Sequence, residues 1–177
     1  NNNTGFVNLG TSHDTSEFAV TSISCWWNAI GKNTFPDAKR IYITCDGGGS
    51  NGSRSRNWKY ELQQIANDTG LEIMVSHYPP GTSKWNKVEH RMFCYISKNW
   101  QGQPMIDIET VISLISNTTT EKGLTITCQL DEKIYETGHK ISDDELAKSI
   151  FFLVKHLENG TMLSSPKIKS YFLTFPY

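Results

Sequence analysis

The stretch His77-Tyr-Pro-Pro-Gly-Thr-Ser-Lys-Trp-Asn-Lys-Val-Glu-His-Arg-Met-Phe-Cys-Tyr-Ile96 decides how the chain is read. It leaves an apolar strand predicted over 71–76, turns on Pro79, Pro80 and Gly81, and opens a helix with Thr82 or Ser83 as N-cap. On that helix the spacing of Trp85, Val88, Met92 and Ile96 predicts one apolar face. Asn86, Glu89, His90 and Phe93 fall on a neighbouring face, which places Glu89 on a rigid element with an amide one turn before it. A carboxylate held this way beside Lys84, Lys87 and Arg91 is suited to carry a metal ion against a phosphate backbone. The plain alternative is a solvated helix face with ordinary charges.

A second stretch sharpens the choice. Residues 41–45 read as a buried strand, and Asp46 ends it where the loop Gly-Gly-Gly-Ser-Asn-Gly-Ser-Arg54 begins. In open α/β sheets, ligands and catalytic groups gather at strand ends. The glycines also suit a phosphate-cradling loop, but the Gly-Lys-Ser/Thr ending of a P-loop and the spacing of a dinucleotide fingerprint are both missing.

Together, Thr44-Cys-Asp46-Gly-Gly-Gly-Ser-Asn-Gly-Ser-Arg54 and His77-Tyr-Pro-Pro-Gly-Thr-Ser-Lys-Trp-Asn86-Lys-Val-Glu89-His-Arg91 resemble the Rhodopirellula-type DDE transposases, relatives of the mariner-like enzymes. The resemblance covers about residues 1–150 and implies a ribonuclease H-like fold, a central mixed β-sheet flanked by helices. It also implies DNA cleavage and strand transfer by two-metal-ion phosphoryl transfer, with Asp46 and Glu89 as catalytic metal ligands and Mg²⁺, replaceable by Mn²⁺, as the ion. Arg54, Arg56, Lys84, Asn86, Lys87 and Arg91 are then the expected contacts to double-stranded DNA, with a homo-oligomer forming on it. In such families the first catalytic Asp lies on a strand before Phe6, so the resemblance implies that this strand and ligand precede Asn1 and that this fragment is inactive. A non-catalytic DNA-binding or assembly module that retains the fold is the alternative.

Composition is compatible with either. The 177 residues are 37% apolar and 11% aromatic, enough for one sizeable core. The net charge of −1 leaves DNA contact to local cationic patches. Cys25, Cys45, Cys94 and Cys128 are widely spaced within apolar patterns, as buried free thiols are, and lack zinc-site pairing. With no signal peptide and no apolar run of membrane-spanning length, the expectation is a soluble cytoplasmic protein.

In chain order, residues 6–9 read as a strand forming the second arm of a hairpin. Asp14 with Glu17 resembles a capping arrangement, which outweighs a ligand role for Asp14, and Phe18, Ile23, Trp26, Trp27 and Ile30 supply a buried stripe. For Trp26 and Trp27, base stacking is the rival to core packing. A helix over about 57–67 turns Trp58, Leu62 and Ile65 inward, and Arg54 and Arg56 at its start serve equally to pair phosphates or to solvate a loop. Asp107 caps a helix bearing Ile108, Val111, Leu114 and Ile115, residues 124–130 alternate as a strand, and Ser142 with Glu145 forms a capping box. Residues 151–177 form a divergent tail to which the sequence assigns no role.

Overall fold

The computed structural model describes residues 3–46, 48–79, 82, 85–147 and 172–175. Strand β1 (Thr4–Gly10) leads into α1 (Ser16–Trp26), which continues through one wide turn (Trp27–Gly31) into the short α2 (Lys32–Thr34). Then follow β2 (Arg40–Cys45), α3 (Arg56–Thr69) and β3 (Glu72–His77). A wide turn (Glu89–Phe93) passes into α4 (Cys94–Trp100), followed by α5 (Ile108–Ser116), β4 (Thr125–Asp131), α6 (Asp143–Ala147) and β5 (Phe172–Phe175). This is the α/β alternation read from the sequence.

Among the described residues the strands pair only in parallel, in two sets, β4-β1-β5 and β2-β3, where one mixed sheet was expected. β1 is accordingly flanked on both sides by parallel strands and is no hairpin arm among these residues. Its position explains its composition: from Gly5 to Gly10 every residue is buried, as a central parallel strand requires. Phe6 packs with Ala19, Val20 and Ile23 of α1 and with Ile41 and Ile43 of β2, so one apolar core spans the two sets. Val7 and Leu9, on the opposite face, pack with Val88, Met92, Phe93, Ile96, Val111 and Ile115.

The helices end where local chemistry says they should. Thr15 accepts the N–H of Phe18 and starts α1, so Asp14 is left outside the cap that the sequence assigned to it. Ser55 does the same for α3 through Trp58, and Gly70 closes that helix at φ 69°, a left-handed conformation that glycine adopts without strain. Trp58, Leu62 and Ile65 are its buried residues, as expected. Asp107 caps α5 through Thr110, and Ser142 and Glu145 bond reciprocally, with Ser142 N–H donating to Glu145 Oε2 at 2.9 Å.

The helix carrying Glu89 departs from its predicted register. Its helical residues begin at 87, so Trp85 lies before it and is 53% exposed, although an apolar face over Trp85, Val88, Met92 and Ile96 was expected. The wide turn at Glu89–Phe93 adds a residue to one turn, which brings Phe93 into the core beside Met92 and away from its expected face with Asn86 and Glu89. All four cysteines are free, but only Cys45 is fully buried. The division at residue 150, and residues 151–171 and 176–177 of the tail, lie outside the described set.

Candidate active site

The parallel pairing of β2 with β3 matches Cys45 to His77, so both strands finish on the same edge. Tyr78 N–H donates to Cys45 O at 2.8 Å and extends that pairing by one residue. Asp46 leaves β2 at this edge, and the chain after β3 leads from the same edge to the helix bearing Glu89. Strand register thus sets Asp46 at the edge where β3 also finishes.

Asp46 is exposed but oriented. Its Oδ1 accepts the Gly48 N–H at 3.2 Å, and Asn51, with its amide turned to donate, reaches the same oxygen at 3.3 Å. Among the described residues no hydrogen bond engages Oδ2, so one face of the carboxylate is presented to solvent. The glycine loop is pinned from both sides. Ser16, buried at the start of α1, donates to Ser50 O at 2.5 Å, and its hydroxyl meets that of Ser55 at 3.2 Å. From β3, His77 Nε2 lies 2.8 Å from Asn51 O, and because a carbonyl only accepts, that ring nitrogen carries the proton. Gly49 sits at φ 57°, where a side chain is strained, and a Cβ there would lie 3.6 Å from Asp14 Oδ2. Asp14, freed from capping, therefore faces the loop that Asp46 introduces. The sequence could not show this, because Thr15 competes with Asp14 for the cap.

The other expected site residues are not joined to Asp46 by any hydrogen bond or ion pair among the described residues. Glu89, Lys87 and Arg91 are exposed, and Asn86 is half-buried just before the helix, so it is not held one turn before Glu89 on the same rigid element. Lys84 lies outside the described residues. Arg54 is exposed, whereas Arg56 forms an ion pair with Asp143 that ties α3 to α6 and holds the Asp143 carboxyl below the usual carboxylate range. Beside it, Ser55, Arg56, Asn57, His139, Lys140 and Ile141 line a cleft of about 390 Å³. His139 and Lys140 were missed in the sequence because they follow β4, far along the chain, in a segment with no helical or strand periodicity.

For a divalent cation the donors fit in kind. Asp46 and Glu89 offer hard carboxylate oxygens, and Asp46 keeps one oxygen unengaged. They do not fit in number: among the described residues no three His, Cys, Asp or Glu side chains gather closely enough to hold an ion. Asp107, Glu109 and Asp131 belong to other parts of the molecule. Asp107 is a cap, Glu109 sits in the first turn of α5, and Asp131 Oδ2 is taken up by Asn8 Nδ2 at 3.0 Å and by the Tyr135 hydroxyl at 2.7 Å.

The sequence profile of a family described as Rhodopirellula transposase DDE domain matches residues 1–160. No curated protein and no solved structure matches the chain. No helix among the described residues is long and apolar enough to cross a membrane.

Proposed function

We propose, from the premise that the chain belongs to the Rhodopirellula transposase DDE domain family and has its ribonuclease H-like α/β fold, that it acts in DNA cleavage and strand transfer by phosphoryl transfer. The observation that carries this reading is the placement of Asp46 at the end of β2, aimed by Gly48 N–H, on the edge from which the Glu89 segment departs. Asp46 and Glu89 are the catalytic carboxylates and would hold Mg²⁺, with Mn²⁺ as a substitute. When bound, such ions lower the pKa of an attacking water or 3′-hydroxyl and stabilise the leaving oxygen.

The chain's own groups do the rest. The Gly48 N–H fixes the Asp46 carboxylate so that little reorientation is needed when its charge is used. His77 and Ser16 tether the glycine loop through Asn51 O and Ser50 O. Arg54, Lys84, Lys87 and Arg91 supply cations for phosphates of double-stranded DNA, Asn86 a neutral amide, and Arg56 a further cation when its ion pair opens. In this reading residues 1–150 form the catalytic core, the protein works in the cytoplasm on nucleoid DNA, and copies assemble on paired DNA ends.

The test is nicking of supercoiled plasmid with Mg²⁺ or Mn²⁺ by the chain extended upstream with an Asp-bearing strand and by the Asp46→Asn and Glu89→Gln variants of that extended chain, with Mn²⁺ binding followed by electron paramagnetic resonance. Metal-dependent nicking and Mn²⁺ binding, both lost in each variant, are expected. Undiminished nicking by both variants overturns the catalytic assignment. Salt-sensitive DNA binding without nicking, unchanged by either substitution, favours a non-catalytic DNA-binding module.

A further inference from the structure

The segment between β4 and α6 lies against the start of α3 and is fixed there. Asn57 Nδ2 donates to His139 O at 2.6 Å, and Ile141, 4% exposed, anchors the chain two residues later. Gly138, at φ 80°, turns the chain into this segment, and the reciprocal bonds of Ser142 and Glu145 start α6 directly after it. Two stretches 82 residues apart are thus locked together as the walls of the cleft of about 390 Å³.

The lining of that cleft is rich in donors and cations. Arg56 comes from one wall and His139 and Lys140 from the other, all three exposed, and among the described residues Lys140 forms no ion pair. The N–H groups of Arg56 and Asn57, the first two of α3, find no acceptor among the described residues, since Ser55 Oγ takes the N–H of Trp58. The apolar lining residue, Ile141, is buried, so the cleft offers little to a base or an apolar side chain. A forked guanidinium, an ammonium and two amide donors together suit an anion with several acceptor oxygens. Arg56 already holds one such oxygen, Asp143 Oδ1, but the Asp143 side chain is 91% exposed and the pair is weak enough to exchange. Glu61 is near enough for its charge to act on His139, which leaves Arg56 and Lys140 as the principal pair.

We propose that this cleft is a phosphate-binding subsite, with Arg56 and Lys140 as its cations and Asp143 as a built-in competitor for Arg56. Through Ser55 it adjoins the glycine loop: the Ser55 hydroxyl lies 3.2 Å from that of Ser16, which donates to Ser50 O at 2.5 Å. A backbone phosphate of DNA is the source that fits this neighbourhood, and a free phosphate has the same chemistry. The choice of DNA as source rests on the reading of the chain as a DNA-processing domain; the subsite itself does not.

The experiment has two arms, each run on the chain and on its Lys140→Gln, Lys140→Arg and Asp143→Asn variants. In the first, fluorescence anisotropy follows binding of a short blunt duplex over a salt series. In the second, inorganic phosphate is titrated while the amide resonances of Arg56 and Asn57 are followed by nuclear magnetic resonance. Lys140→Gln is expected to lose about 3- to 10-fold in duplex affinity and about one unit of salt slope, with Lys140→Arg keeping both and Asp143→Asn binding more tightly. Loss of the phosphate-induced amide shifts in Lys140→Gln, with duplex binding unchanged, supports the subsite and assigns it to free phosphate. Wild type that binds no duplex but shows those shifts keeps the subsite and overturns the DNA reading. Duplex binding that Lys140→Gln leaves unchanged, together with no amide shift in the wild type, overturns the subsite and leaves the DNA reading intact. Lys140 is exposed, and circular dichroism of each variant excludes unfolding as the cause of a loss.

Discussion

Arg56, at the first position of α3, is paired with Asp143 at the first position of α6, across 87 residues of sequence. An arginine expected to meet DNA is therefore already neutralised by the protein. Both side chains are largely exposed, so the pair is weak in itself and acts mainly by deciding where the guanidinium points.

Asp143→Asn is expected to release Arg56 and raise DNA affinity several-fold. It should also steepen the slope of log affinity against log salt by about one, since one more phosphate is neutralised. Fluorescence anisotropy over a salt series measures both. An unchanged slope places Arg56 away from the DNA.

Gly10→Ala is expected to destabilise the fold by about 1–3 kcal/mol, measured by urea denaturation. A Cβ at Gly10 would sit 2.5 Å from one Phe18 ring atom and 2.7 Å from another, and that ring packs against Tyr135 with centroids 5.2 Å apart. A smaller residue at Phe18 should relieve the clash, so in the Phe18→Leu background the added cost of Gly10→Ala is expected to shrink.

Tyr135 is buried, and burial together with its hydrogen bond to Asp131 Oδ2 raises its pKa well above the ordinary 10.0. A raised pKa means that the folded state holds the phenolic proton more tightly than the unfolded chain. Its contribution is therefore complete below pH 10 and is lost as pH rises beyond it. Tyr135→Phe is expected to cost about 1 kcal/mol at neutral pH through the lost hydrogen bond to Asp131 Oδ2, which keeps the Asn8 Nδ2 donor. The variant should also show a shallower alkaline decline in thermal stability than the wild type. Parallel alkaline profiles would exclude Tyr135 as the titrating group.

Glu61 carries a raised pKa, first through burial and then through the neighbouring Glu17 charge. The folded state then binds the proton more tightly, so stability is present below the carboxylate range and falls as pH rises through it. Glu61→Gln removes that ionisation and is expected to flatten the decline, as melting temperatures from pH 3 to pH 7 would reveal. An unaltered profile would show that Glu61 ionises as freely in the folded chain as in the unfolded one.

Much of the architecture was legible because it is written in local chemistry. The stripe of Trp58, Leu62 and Ile65 follows from a period of 3.6 residues, and the caps at Asp107 and Ser142 from side chains that satisfy the backbone a few residues away; the strand over 41–45 was read as a buried run, whereas only Ile41, Ile43 and Cys45 of it are buried. The family motifs around Asp46 and Glu89 were equally visible, since they are short and contiguous.

What the sequence did not contain is which competitor wins and which distant segments meet. Thr15 and Asp14 are both good caps, and only the folded backbone gives the role to Thr15 and turns Asp14 toward Gly49. Trp85 fits an apolar stripe on paper, but the helix begins after it, and the wide turn at Glu89–Phe93 hands the core position to Phe93. The partner of Arg56 and the pairing of β1 with β4 each join residues far apart in the chain. Periodicity reports only neighbours within a turn or two; contacts across the fold are settled by packing, where burial of the whole core outweighs any single local preference.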